Sequence, residues 1–156
     1  QTNPSNSYAI AKDSLRKFIE ELKKQYKFNY KWIRLFYMYG EGQSEKSLVA
    51  LLEKAIQNDE KEFNMSGGEQ LRDYLHIQEV VSNISKIALQ NKIDNQIINC
   101  CRGKPISIRK FVENYLDEKS YSMRLNLGYY PYPAYEPMDF WGDNIKLQKV
   151  NPLEAD

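Results

Sequence analysis

Histidine and cysteine are nearly missing from this chain of 156 residues: His76 is the single histidine, and the two cysteines, Cys100 and Cys101, are adjacent. Neighbouring cysteines are poorly placed to bond each other and match no metal-ligand spacing, so they are expected as buried, reduced thiols. Any His-based metal site or Ser-His or Cys-His nucleophile would have to use His76, and no CxxC, HExxH or GxSxG accompanies it. No metal is expected, and His76 is expected to be structural, with a polar contact beside a ligand as the alternative. An excess of one charge is also lacking. The 22 basic and 21 acidic side chains leave a net charge of +1 and are interspersed, so no long-range field selects nucleic acid or an anionic membrane. No apolar run approaches the roughly 20 residues that span a bilayer. The opening Gln1-Thr2-Asn3-Pro4 has neither the basic nor the apolar part of a signal peptide, and the cytoplasm is the expected location. No G-x-x-G-x-x-G turn, the kind that cradles a pyrophosphate, occurs among the seven glycines.

What is present is the composition of a globular protein about one domain long, 42% hydrophobic and 28% charged. From Ser7 to Tyr26, Ala11, Leu15, Phe18, Ile19 and Leu22 recur at three- and four-residue spacing, which predicts an amphipathic helix capped by Asn6 or Ser7. "YKWIRLFYMYG" then has the aromatic, β-branched character of a buried strand running into a loop. A second helix is expected from Ser44, followed by a short strand within "KEFNMSGGEQ" and a turn at Gly67-Gly68. "HIQEVVSNISKIALQ" and "NQIINCC" make a helix feeding a strand. The pair repeats as a helix capped by Ser107 and a strand alternating Met123, Leu125 and Leu127. "GYYPYPAYEP" is too rich in proline to be helical, and Asp143 is placed to cap a last short helix. Alternating helices and strands indicate an α/β chain.

Within the first helix, Tyr8 and Lys12 stand one turn apart and share a face. An ammonium beside a phenol stabilises the phenolate, so such a pair can pass a proton to or from a substrate oxygen. Both positions fall at the edge of the apolar stripe, where partial shielding is expected. Spacing alone is weak evidence among 12 tyrosines, and Tyr115 and Lys119 repeat it.

Order adds what spacing lacks. "NPSNSYAIAK", "IRLFYMYGEGQ", "GGEQLRDYLHIQEVV", "IINCCRGKPISIRKFV" and "YYPYPAYEPMDFWGDNIKL" follow one another across nearly the whole chain. In that order the sequence resembles the C-terminal half of extended short-chain dehydrogenases/reductases, the NAD-dependent epimerase/dehydratase family, which act on nucleotide sugars. The resemblance implies the C-terminal part of a Rossmann-like fold together with a small α/β substrate-binding domain. Residues 1–40 would close the dinucleotide-binding domain, and residues 41–156 would form the nucleotide-sugar-binding part. "INCC.GKPIS" and the aromatic tail are most similar to the branch that oxidises or reduces C4 of nucleoside-diphosphate 6-deoxyhexoses for surface polysaccharides. Epimerases and dehydratases share the frame, and a noncatalytic nucleotide-sugar-binding or oligomerisation module is a third alternative.

Carried over by position, Tyr8 matches the catalytic acid/base, and Lys12 matches the residue that assists it and holds the nicotinamide ribose; both would touch NAD or NADP. Arg72 matches the arginine that holds the substrate diphosphate, a task suited to a planar cation with paired donors. Its alternative is a surface arginine paired with Asp73 or Glu69. Gln70 and Tyr74 would help line the pocket, and Asp73 would organise the turn. Where relatives carry a phosphate-contacting asparagine this chain has Tyr37. Where they carry a second arginine it has Tyr132 and Tyr135, suited to stacking, to phosphate contact or to packing alone. The glycine-rich turn and the carbonyl-polarising Ser or Thr lie upstream of the tyrosine in the family. The resemblance therefore implies part of a longer, dimeric enzyme that, taken alone, exposes a helix face and strand edges and neither binds dinucleotide nor turns over.

Overall fold

A computed structural model describes residues 6–91, 94, 96–134 and 136–150. Helix α1, Ser7–Gln25, begins where Asn6 leaves the extended conformation and its side chain accepts the Ala9 N–H at 2.8 Å. No residue of α1 is buried. Pairs one turn apart run along it instead: Arg16 bonds Asp13 at 2.8 Å and Glu20 at 2.6 Å, and Lys17 reaches Asp13 at 2.9 Å. Each such pair stabilises a helix by only about 0.2–0.5 kcal/mol.

The expected single strand after α1 is two, β1 at Lys31–Leu35 and β2 at Tyr37–Tyr39, and they join different sheets. Between them the Phe36 ring stacks on Phe140 at 5.3 Å. Gly142 is what admits this ring, because a Cβ there would lie 2.6 Å from it. Helix α2, Leu48–Gln57, starts later than expected. Ser44 opens a turn by accepting the Ser47 N–H at 2.8 Å, and Ser47 is the cap, accepting the Ala50 N–H at 3.3 Å. Strand β3 follows at Glu62–Asn64.

Two short strands not anticipated from periodicity come next, β4 at Leu71–Arg72 and β5 at Tyr74–His76. Helix α3 is Ile77–Leu89 and strand β6 is Gln96–Cys100. Strand β7, Ile106–Ser107, leads into helix α4, Ile108–Glu118, which Ser107 caps by accepting the Lys110 N–H at 3.1 Å. Strands β8, Arg124–Asn126, and β9, Asp139–Phe140, precede helix α5, Ile145–Val150, where Asp143 accepts the Ile145 N–H at 2.8 Å.

Pairings are mainly parallel, as an α/β chain requires. β1 runs beside β6 from Lys31↔Gln96 to Leu35↔Cys100, β2 beside β5, and β3 beside β8. β4 lies between antiparallel β7 and parallel β9. The largest core gathers Val49, Leu52 and Ala55 of α2, Phe63 and Met65, and Phe111, Val112, Tyr115 and Leu116 of α4. Smaller clusters seat α5 and α3 on β6 through Leu147, Ile87 and Ile98, and through Val80 and Cys100. Both cysteines are free and buried, and burial pushes the Cys101 thiol up to about 12. No helix among the described residues is long and apolar enough to cross a membrane.

Candidate functional site

Pairing of β2 with β5 sets Tyr37 opposite Tyr74, and β4 carries Arg72 two residues earlier. Together with the N-terminal end of α2, residues 63–66, and Tyr130, Pro131, Pro133 and Glu136, they line a cleft of about 440 Å³. Gln70, Arg72 and Tyr74, the three residues expected to bind substrate, all line it. Arg72 and Glu136 are the only charged side chains among its described lining residues.

Arg72 is 1% exposed, which overturns the surface-arginine alternative. Neither Asp73 nor Glu69 is its partner. As part of the central strand of its sheet it is enclosed, and Nη1 donates to the carbonyls of Leu71 at 2.8 Å and Met138 at 3.1 Å. Its Nη2 donates to Glu136 at 3.3 Å, and the Tyr37 ring lies 5.4 Å from the guanidinium carbon. A buried guanidinium needs such partners, because an uncompensated charge in the interior is very unfavourable. Gln70, also buried, accepts the Ser66 hydroxyl at 3.4 Å and donates to Glu136 at 3.5 Å. Tyr74 stacks on Phe111, with centroids 4.0 Å apart at 18°. Burial, and then the neighbouring Tyr37, push its hydroxyl up to about 12, so at neutral pH it is a hydrogen-bond donor.

Glu136 escaped the sequence reading, although it is the one charged residue between Leu127 and Met138. A lone carboxylate in an aromatic loop is the signal that was there to use. Asp73 does organise a turn, though one distant in sequence: fully buried, it accepts the N–H groups of Arg102 at 2.8 Å and Gly103 at 2.7 Å. His76 is structural. Its Nδ1 accepts the Gln78 N–H at 3.3 Å while Glu79 accepts the His76 N–H at 3.2 Å, which closes the start of α3. Tyr132 packs on the Gly67-Glu69 turn, its hydroxyl meeting the Glu69 N–H at 3.4 Å and carboxylate at 3.3 Å. Tyr135 lies outside the described residues.

Tyr8 and Lys12 do not line the cleft. Lys12 Nζ sits 5.6 Å from the Tyr8 ring centroid, as their spacing requires. The expected shielding is absent: among the described residues nothing covers Tyr8, which is 71% exposed. Ile10, Leu15 and Phe18 are exposed beside it, and the edge of β1 away from β6 is unpaired among the described residues, in line with the expected open faces. Among the described residues no group of three or more His, Cys, Asp or Glu is placed to hold a metal ion.

Parallel strands joined by crossover helices define a Rossmann-like α/β protein, with a buried guanidinium at its cleft. Residues 1–101 match the NAD dependent epimerase/dehydratase family, and the chain belongs to that family. It is 29% identical over 141 residues to dTDP-6-deoxy-L-talose 4-dehydrogenase (NAD(+)) of Aggregatibacter actinomycetemcomitans, a match covering 90% of this chain and 52% of that protein. UDP-N-acetylglucosamine 4-epimerase from Methanobrevibacter ruminantium M1, in complex with UDP-N-acetylmuramic acid, superimposes with a TM-score of 0.84 at 23% identity over 97% of this chain and 49% of its own. RMD from Pseudomonas aeruginosa, complexed with NADPH, gives 0.81 at 17% identity over 100% of this chain and 53% of its own. The chain thus spans about half the length of the relatives it matches, and the structural likenesses confirm the Rossmann-like fold.

Proposed function

We propose that this chain is part of an NAD(P)-dependent nucleotide-sugar oxidoreductase acting at C4 of a nucleoside-diphosphate 6-deoxyhexose, a cytoplasmic, dimeric enzyme that supplies a sugar for surface polysaccharide. The observation that carries this is the buried Arg72, held in plane by two backbone carbonyls, with Nη2 directed to the Glu136 side of the cleft. A rigid planar donor suits a diphosphate. Gln70 and the protonated Tyr74 hydroxyl add neutral donors, and Glu136 can accept from ligand hydroxyls. The relative named for 4-dehydrogenase activity supports the choice of reaction.

Residues 1–40 would complete the dinucleotide-binding domain and residues 41–156 the sugar-nucleotide part, with β6 returning to pair with β1. The chemistry of α1 fits the nicotinamide-ribose end of a dinucleotide, since an exposed phenol and ammonium share one turn. Tyr8 and Lys12 would hold the ribose hydroxyls. When bound, the nicotinamide gives or takes hydride at the sugar carbon. Tyr8 moves the proton of the C4 oxygen, and Lys12 favours the phenolate and keeps the hydroxyl aimed.

In the full-length protein, Tyr8→Phe should lower kcat by about 10²- to 10⁴-fold with NAD(P)H and a 4-keto sugar nucleotide. Unchanged turnover would leave a noncatalytic binding module as the reading. A second reading, an epimerase, is favoured by the family's own description. Isomer interconversion without net NAD(P)H consumption would select it, and stoichiometric consumption selects the reductase.

A further inference from the structure

We infer that Tyr37 is a positioning residue of the anion subsite, acting through its ring on Arg72; this rests on the proposal that the cleft binds a nucleoside diphosphate. Among the described residues the cleft's two charged lining groups, Arg72 and Glu136, cancel formally. Net charge attraction for a phosphate is therefore small, and what Arg72 contributes to affinity depends on the direction of its donors. Two constraints fix that direction within the guanidinium plane. Nη1 uses its hydrogens on Leu71 O and Met138 O, leaving Nη2 on the Glu136 side.

Neither carbonyl restrains movement out of the plane. The ring of Tyr37 does, lying 5.4 Å from the guanidinium carbon. That ring is fixed in turn by Tyr74, tilted at 59° with centroids 5.7 Å apart, and by Phe140, edge-on at 79° and 6.1 Å. Strand pairing sets the arrangement, because Tyr37 and Tyr74 are register partners. Tyr37 is itself 37% exposed and is not a member of the large hydrophobic core. A ring over a shielded cation is worth roughly a three- to thirtyfold change in an equilibrium.

The test uses calorimetric titration of the full-length protein with UDP and with dTDP, each variant's melting curve confirming that it is folded. Tyr37→Phe keeps the ring and should stay within about twofold of wild type, whereas Tyr37→Leu should bind about fivefold or more weakly. In an Arg72→Lys background, which has no guanidinium plane to restrain, Tyr37→Leu should cause no further loss. A general structural role for Tyr37 would instead give additive losses. Equal binding by Tyr37→Leu and wild type, or an equal loss in Tyr37→Phe, overturns the inference. If Arg72→Lys does not fold, the Phe and Leu variants still decide it. Absence of any binding by wild type would instead remove the diphosphate reading, and this inference with it.

Discussion

Two helices of this chain carry the same tyrosine-lysine spacing in opposite settings. On α1, Lys12 Nζ lies 5.6 Å from the ring of a Tyr8 that is 71% exposed; on α4, Lys119 Nζ lies 5.4 Å from the ring of a Tyr115 that is 8% exposed. Helical geometry fixes the first number of each pair whatever the surroundings. The second comes from what packs on the helix. Tyr115 sits in the main core with Phe111, and its hydroxyl donates to Glu53 at 2.5 Å. A phenol already committed to a carboxylate is not available to a substrate oxygen, so the α4 pair is architecture. The α1 pair has no such commitment among the described residues and is open to whatever covers that face.

The largest effect that separates the two helices is on stability. Tyr115→Ala empties a core site and leaves Glu53 without its donor, and should lower the unfolding free energy by about 3–5 kcal/mol. Tyr8→Ala removes an exposed ring and should change it by less than about 0.5 kcal/mol. Urea denaturation of both variants measures the contrast. A loss above about 1 kcal/mol in Tyr8→Ala would mean that α1 packs on a surface, within this chain or on a second copy.

Amide exchange gives the next largest contrast. A helix of 19 residues with no buried side chain is close to the marginal stability of an isolated helix, whereas α4 opens only when the core does. Amides of α1 should exchange about 100-fold or more faster than those of α4. Comparable protection in the two would show that a partner copy covers Ile10, Leu15 and Phe18, and dilution below the dissociation constant should then remove it.

The same contrast marks how far the sequence could be read. Helix periods and the caps Asn6, Ser107 and Asp143 are local, so the three- and four-residue apolar spacing and one polar side chain were enough to find them. The members of the cleft, Gln70, Arg72 and Tyr74, were legible through the ordered resemblance and not through periodicity, because β4 and β5 span two and three residues. Strands that short carry no alternation to detect. Non-local features were hidden: the break at Phe36 depends on Phe140 and Gly142, about a hundred residues on, and the burial of Arg72 depends on β7 and β9 flanking its strand. The shielding expected at Tyr8 failed for the same reason. A helical projection locates the edge of an apolar stripe, but only a packed neighbour shields it, and among the described residues none buries any residue of α1.

The smallest expected effect is on the pH dependence of stability, and its sign follows from burial. Desolvation raises the pKa of Tyr115, with the Glu53 hydrogen bond adding to it, and burial takes Tyr74 up to about 12. Both cysteine thiols are raised by burial as well, Cys101 to about 12. In each case the folded state keeps a proton that the unfolded chain releases, near pH 8.5 for thiols and near pH 10 for phenols. Stability from these groups is therefore fully present below those values and is lost as pH rises through the folded pKa. Melting temperature should begin to fall above about pH 8.5 and fall more steeply above about pH 10. Cys101→Ala should flatten the first part of that decline and Tyr74→Phe the second, each read as a smaller drop in Tm relative to its own value at pH 7. A melting temperature that rises between pH 8.5 and pH 12 would mean that these groups are hydrated in the folded protein, and that the packing around α4 is looser than that of a close-packed core.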